Sequence, residues 1–84
     1  MIIETSDGRS INTATDLGPE ERHILQKLMA WGPMVESLDQ FRDIKKKGLA
    51  NGWNNSGPVR ESRALSLVVK DLEVQIRQRL KHLP

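Results

Sequence analysis

Apolar residues recur along most of this chain at the spacing of helix turns. Leu17, Ile24, Leu28 and Trp31 follow one another at seven, four and three residues, with Leu25 alongside. At about 3.6 residues per turn that spacing puts them on one face, and it predicts a first helix over residues 19–31. Asp16 or Gly18 supplies the cap, Pro19 suits the first turn, and Glu20 and Glu21 complement the positive end of the helix. Gly32-Pro33 stops it. Because proline also suits a first helical position, Pro33 opens a second helix over residues 34–47, with Met34, Leu38 and Phe41 as its stripe. Asp39 with Arg42 and Asp43 with Lys47 are spaced to pair on its outer side. With only Gly32-Pro33 between them, the two helices should meet at a sharp corner or form a kinked rod rather than a relaxed antiparallel hairpin.

Residues 48–57 carry three glycines and three asparagines, a composition that resists helix and strand alike and reads as a loop. Ser56 or Gly57 then caps, Pro58 opens, and a third helix runs to about residue 82. Its apolar residues Leu65, Val69, Leu72, Ile76, Leu80 and Leu83, with Val68, fall within about 100° of one another around the axis. At about 1.5 Å per residue it would be roughly 36 Å long, against about 20 Å for each of the others. The first 18 residues lack helix periodicity. Asp7-Gly8 is a type I′ turn pair, so residues 2–6 and 9–13 form either a hairpin or a loosely held terminus. The expected class is all-α: a small three-helix domain, residues 1–84, with that N-terminal arm.

Length and composition narrow the chemistry. Eighty-four residues suffice for one domain, and 37% hydrophobic with 29% charged residues is ordinary for a folded protein. A core this small often needs a disulfide, a metal or a partner subunit. The chain has no cysteine, and His23 and His82 are far apart with no thiolate near, so no metal and no cofactor are expected. Neither histidine sits in a catalytic motif, and the glycines lack P-loop spacing. The expectation is a protein that is not an enzyme. No basic segment followed by a long apolar run opens the chain, and the longest aliphatic run is Leu67-Val68-Val69. It therefore reads as cytoplasmic, with no membrane span.

What remains is the outer side of the third helix. The net charge of +2 is unevenly placed, with the basic excess towards the C-terminal end. Arg63, Lys70 and Arg77 repeat at seven residues, Lys81 continues the row over about 27 Å, and Leu67 and Val74 lie within it. A basic strip with an aliphatic centre suits a protein partner with an acidic surface, and Leu67 and Val74 suit a second copy of the chain. Trp53 reads either as an exposed anchor for a partner or as a lid folded back on the core. Lys45, Lys46 and Lys47 are explained by a helix C-terminus. The function expected is an interaction or assembly module, homo-oligomeric through the third helix. The alternative is a nucleic-acid-binding accessory protein using the same strip.

Overall fold

The structure is a computed structural model, and it describes residues 1–52 and 57–82. Two short strands come first: β1 (Ile2–Glu4) and β2 (Ser10–Asn12). Four helices follow: α1 (Thr13–Asp16), α2 (Pro19–Trp31), α3 (Leu38–Asn51) and α4 (Arg63–Lys81). A 3-10 turn, Gly32–Met34, joins α2 to α3. Among the described residues the structure is mostly helical, at 68%, but all-α is not exact, because the N-terminal segment forms a hairpin and α1 is a fourth helix.

The hairpin pairs antiparallel with Ile3 opposite Ile11 and Glu4 opposite Ser10. Thr5 continues the pairing, its N–H donating to the Arg9 carbonyl at 2.8 Å. Three residues, Ser6 to Gly8, are therefore left in the loop rather than the two of a type I′ turn. Gly8 has φ 86°, the left-handed position that closes three-residue loops. The Thr5 hydroxyl tightens this loop by donating to Asp7, and it accepts from the Arg9 N–H at 3.1 Å. A free two-stranded hairpin is marginal in water, and this one is held by packing: Ile11 is buried and Ile3 packs on the core. Asn12 caps α1 by accepting from the Ala14 N–H, and one Arg22 nitrogen donates to the carbonyls of Thr13, Ala14 and Leu17.

Helix α2 has the predicted bounds. Glu21 reaches back to the Gly18 N–H at 3.2 Å, which is half of a capping box, since glycine has no side chain to return the bond. Ile24, Leu25 and Leu28 are fully buried, as the stripe requires, but Trp31 is 47% exposed. The α-helix ends at that residue, and the 3-10 turn carries the chain away before anything covers the indole.

The start of α3 departs from expectation. Pro33 lies in the 3-10 turn, and the cap is Ser37, whose hydroxyl accepts from the Gln40 N–H at 3.1 Å. Gln40 in turn accepts from the Glu36 N–H, so Ser37 and Gln40 satisfy two amides at the helix start. Met34 consequently sits outside the helix and is 63% exposed, whereas Phe41 is fully buried. The expected pairs Asp39–Arg42 and Asp43–Lys47 are present at 3.9 and 3.0 Å.

The loop expected at residue 48 begins four residues later. Gly48 is buried inside α3, Leu49 packs on the core, and the left-handed stop is Gly52 at φ 67°. Burial of Leu49 and Ile44 offsets the roughly 1 kcal/mol that an interior helical glycine costs. Lys45, Lys46 and Lys47 are thus not at a helix end. Lys45 pairs with Glu61 at 3.6 Å and Lys47 with Asp43.

Helix α4 starts at Arg63, five residues after Pro58, with the Ser62 hydroxyl accepting from the Leu65 N–H at 3.2 Å. Residues 57–62 precede it without regular structure. They are pinned at both ends by distant groups: the Val59 N–H donates to the Leu49 carbonyl at 2.7 Å and the Ser62 N–H to Glu21 at 2.9 Å. The helix is therefore about 28 Å long rather than 36 Å. Leu65, Val68, Val69 and Ile76 are buried, with Leu72 and Leu80 packed beside them. Leu83 and Trp53 lie outside the described residues.

The three long helices all touch one another, and one hydrophobic cluster joins them to Ile11 and Leu17. Arg79 fastens the corner between α2 and α3. Its guanidinium reaches across from α4 and donates to the carbonyls of Gly32, Pro33 and Val35, at 3.3 Å for Gly32 and 2.6 Å for Val35.

Candidate functional site

The fold leaves one side of α4 facing outwards. Arg63, Lys70, Arg77 and Lys81 are all exposed along it, as their spacing predicts. No ion pair involves any of the four among the described residues. The acids that could neutralise them are engaged elsewhere. Glu73 points to α3 and pairs with Arg42 at 3.4 Å, and Glu61, just before the helix, pairs with Lys45. Of the five basic residues in α4, only Arg79 is turned inward.

Leu67 and Val74 lie in this strip, but not as the fully open pair that the sequence suggests. Leu67 is partly buried against the core, and Val74 is 38% exposed. The loop of the hairpin lies beside them, so that Thr5, Ser6 and Asp7 share with Leu67, Lys70, Asp71 and Val74 a shallow hollow of about 180 Å³. The face offered to a partner is therefore composite, made of α4 and the hairpin tip together.

Asp71 makes that junction. From helix spacing it should project to the side of the strip as a solvated acid, yet it is only 8% exposed. Its Oδ1 accepts from the Ser6 N–H at 2.9 Å and the Ser6 hydroxyl at 2.8 Å, and its Oδ2 accepts from the Gln75 amide at 2.9 Å. The Ser6 N–H holds this carboxyl below the ordinary aspartate value. Burial opposes the effect, and the Ser6 hydroxyl and Gln75 reinforce it. No local pattern betrays this contact, because 65 residues separate the partners.

The sign of the shift determines a pH dependence. A carboxyl more acidic in the folded than in the unfolded chain stabilises the fold above its unfolded value, and that contribution disappears as pH falls through the folded value. Anchoring of the hairpin on α4 should therefore be constant through neutral and weakly acidic pH and weaken below the ordinary aspartate range. Asp71→Ala should remove about 1.5–3 kcal/mol, as expected for hydrogen bonds to a charged group. Hydrogen exchange at the Thr5 and Gly8 amides should accelerate while the α4 amides stay protected. Unchanged exchange at those two amides would mean that Ile3 and Ile11 alone hold the hairpin.

A second surface was not legible in the sequence. Two open hollows, of about 330 and 520 Å³, adjoin at Met29, which lines both. Gly32, Pro33, Leu72 and Ile76 help to line the first, and Met1, Ala14 and Leu25 the second. The spacing of Met29 from the core stripe gave it no role, and its neighbours come from four separate segments.

Glu21 is the third residue whose part is tertiary. Burial pushes its carboxyl upward, but bonds from Ser62 and from the Gly18 N–H outweigh this and hold it below the ordinary glutamate value. It links the start of α2 to the start of α4. Among the described residues no group of three or more His, Cys, Asp or Glu is placed to hold a metal ion, and no helix is long and apolar enough to cross a membrane. Compared with protein-family models, with curated proteins and with solved structures, the chain matches none.

Proposed function

We propose that this chain is a non-enzymatic interaction module that docks an acidic protein surface on the outer face of α4. The observation that carries this reading is the separation of charges around the helix. Arg63, Lys70, Arg77 and Lys81 stand exposed and without an ion pair among the described residues, while the neighbouring acids Glu61 and Glu73 are turned to α3. A cation row beside Leu67 and Val74 matches an interface with an apolar centre and a charged rim.

The same charges argue against self-association across this face. A second copy would bring four cations against four, and like charges across an interface cost several kcal/mol. Partial burial of Leu67 also removes part of the apolar surface that such a contact needs. A phosphate backbone would also satisfy the cations, but it offers no apolar group to Leu67 and Val74. The aliphatic pair therefore favours a protein partner whose acidic rim surrounds aliphatic groups of its own.

Reversing Lys70 and Arg77 to Glu should weaken capture of that partner at least tenfold, about 1.4 kcal/mol, with circular dichroism and melting temperature nearly unchanged because both side chains are exposed. The partner would be isolated on immobilised protein from the native host and identified by its mass. Binding should also fall steeply between low and physiological salt. Retention of the partner by the double reversal at low salt would show that the strip is a solvated face. Recovery of nucleic acid in its place would replace the protein partner by a phosphate backbone.

A further inference from the structure

We infer that the acidic partner docks as an α-helix laid along α4, which rests on the docking face proposed above and specifies what fills it. Arg63, Leu67, Lys70, Val74, Arg77 and Lys81 succeed one another at alternating steps of four and three residues. That alternation is the seam of a coiled coil, along which one helix keeps facing another. It opens on the first residue of α4, Arg63, and closes on the last, Lys81. The cations at 63, 70 and 77 recur about every 10.5 Å. Carboxylates seven residues apart on a second helix recur at the same interval and stay in register along the whole row. Same-face residues of an extended strand recur about every 6.7 Å and fall out of register.

The hollow beside the hairpin has the form that such a helix needs. Its walls on α4 are Leu67, Lys70, Asp71 and Val74. These are the residues i, i+3, i+4 and i+7, the four that surround a hole into which a facing helix inserts one side chain. Leu67 and Val74 stand at its two ends, so an aliphatic side chain suits it. At about 180 Å³ it is smaller than the roughly 300 Å³ at which ligand pockets begin. Val74 is 38% exposed and Lys70 is exposed, which leaves the hole accessible. The acids flanking the seam are taken up within the chain, Asp71 on one side by Ser6 and Glu73 on the other by Arg42. A charge on a seam costs stability unless the facing helix answers it, and it thereby selects the partner. The partner helix therefore carries aliphatic residues opposite Leu67 and Val74 and Asp or Glu opposite Lys70 and Arg77.

The test is fluorescence anisotropy of labelled synthetic peptides, each three heptads long, titrated with the full chain at low salt. One peptide carries Leu three residues before Glu in every heptad, the order that matches α4 in parallel. A second carries Leu four residues before Glu, the antiparallel order. A third has the same composition with Leu and Glu scattered around the helix, and a fourth keeps the parallel order but is interrupted by proline. One of the two heptad peptides should bind at least about tenfold more tightly than the third and fourth. Circular dichroism of the mixture should then show more helix than its components do separately. The Lys70→Glu, Arg77→Glu double variant should keep its own helix content and lose that binding, and exchanging Glu for Lys in the peptide should restore it. Equal binding of all four peptides, or binding of none, would overturn the inference. So would binding without added helix, or a heptad peptide that the double variant holds as tightly as the parent does. None of these outcomes removes the docking face itself, which is decided separately by whether the double reversal still captures the partner from the native host.

Discussion

Phe41→Ala should bring this protein close to unfolding. Phe41 is the one aromatic ring fully buried among the described residues, and it sits beneath the corner between α2 and α3. A β-carbon on Gly32 would lie 3.7 Å from its ring and 3.6 Å from Ile76. Truncating a buried Phe costs about 3–5 kcal/mol, through lost transfer energy and an incompletely filled cavity. At about 0.05–0.15 kcal/mol per residue, a chain of this length has roughly 4–13 kcal/mol in all. Thermal unfolding followed by circular dichroism should show the midpoint falling by roughly 12 °C or more. Phe41→Leu should recover most of the loss, because it retains much of the buried surface. A melting temperature within a few degrees of the parent for Phe41→Ala would remove the ring from the core.

Arg79→Ala should be the next most damaging change, at about 2–4 kcal/mol, combining lost bonds to a charged donor with lost packing of the arginine stem. The carbonyls of Gly32, Pro33 and Val35 lie where α2 has ended and α3 has not begun, so neither helix supplies them with donors of its own. One guanidinium serves all three. Lysine offers a single point of charge in place of a planar fork, so Arg79→Lys should restore only part of the stability. Arg79→Met keeps the stem and removes the donors, and should fall near Arg79→Ala. Arg77→Ala, two residues away but exposed, should stay within about 0.5 kcal/mol of the parent. Urea unfolding of the four variants gives the comparison, and equal stability of Arg77→Ala and Arg79→Ala would reduce the clamp to a surface contact.

These two residues mark how far local pattern reaches. Phe41 is legible because a helix must bury its apolar stripe, and its period places the ring on that stripe. Spacing leaves Arg79 out of the row that holds Arg77 and Lys81, but nothing in the sequence says which groups it meets. Its role exists only because α4 crosses the corner of a chain segment more than forty residues earlier.

The boundaries divide in the same way. Helix α2 is bounded by Gly18-Pro19 and Gly32-Pro33, and both signals act locally. Pro33 and Pro58 permit a first turn without requiring one. The real starts are set by the hydroxyls of Ser37 and Ser62, the first of them followed at the capping-box position by Gln40. That Ser-x-x-Gln spacing is readable, and it outweighs the proline because it satisfies amides instead of merely lacking one. Gly48 and Gly52 are alike to a composition count, but packing keeps the first inside α3, and the left-handed φ of the second ends it.

The sequence by itself determined the three long helices, most of their buried stripes though not Trp31 and Met34, the exposed pairs on α3 and the cation row on α4. Each of these depends on residues within a few turns of one another, and 3.6-residue geometry relates them without reference to the rest of the chain. Only the tertiary structure decided that the N-terminal segment is a hairpin anchored on Asp71, that Leu67 is half covered, and that Met29 stands between two hollows. Those features join residues tens of positions apart. Their energies come from burial and from hydrogen bonds that exist only once the helices have packed, and no periodicity along the chain encodes which distant group will arrive.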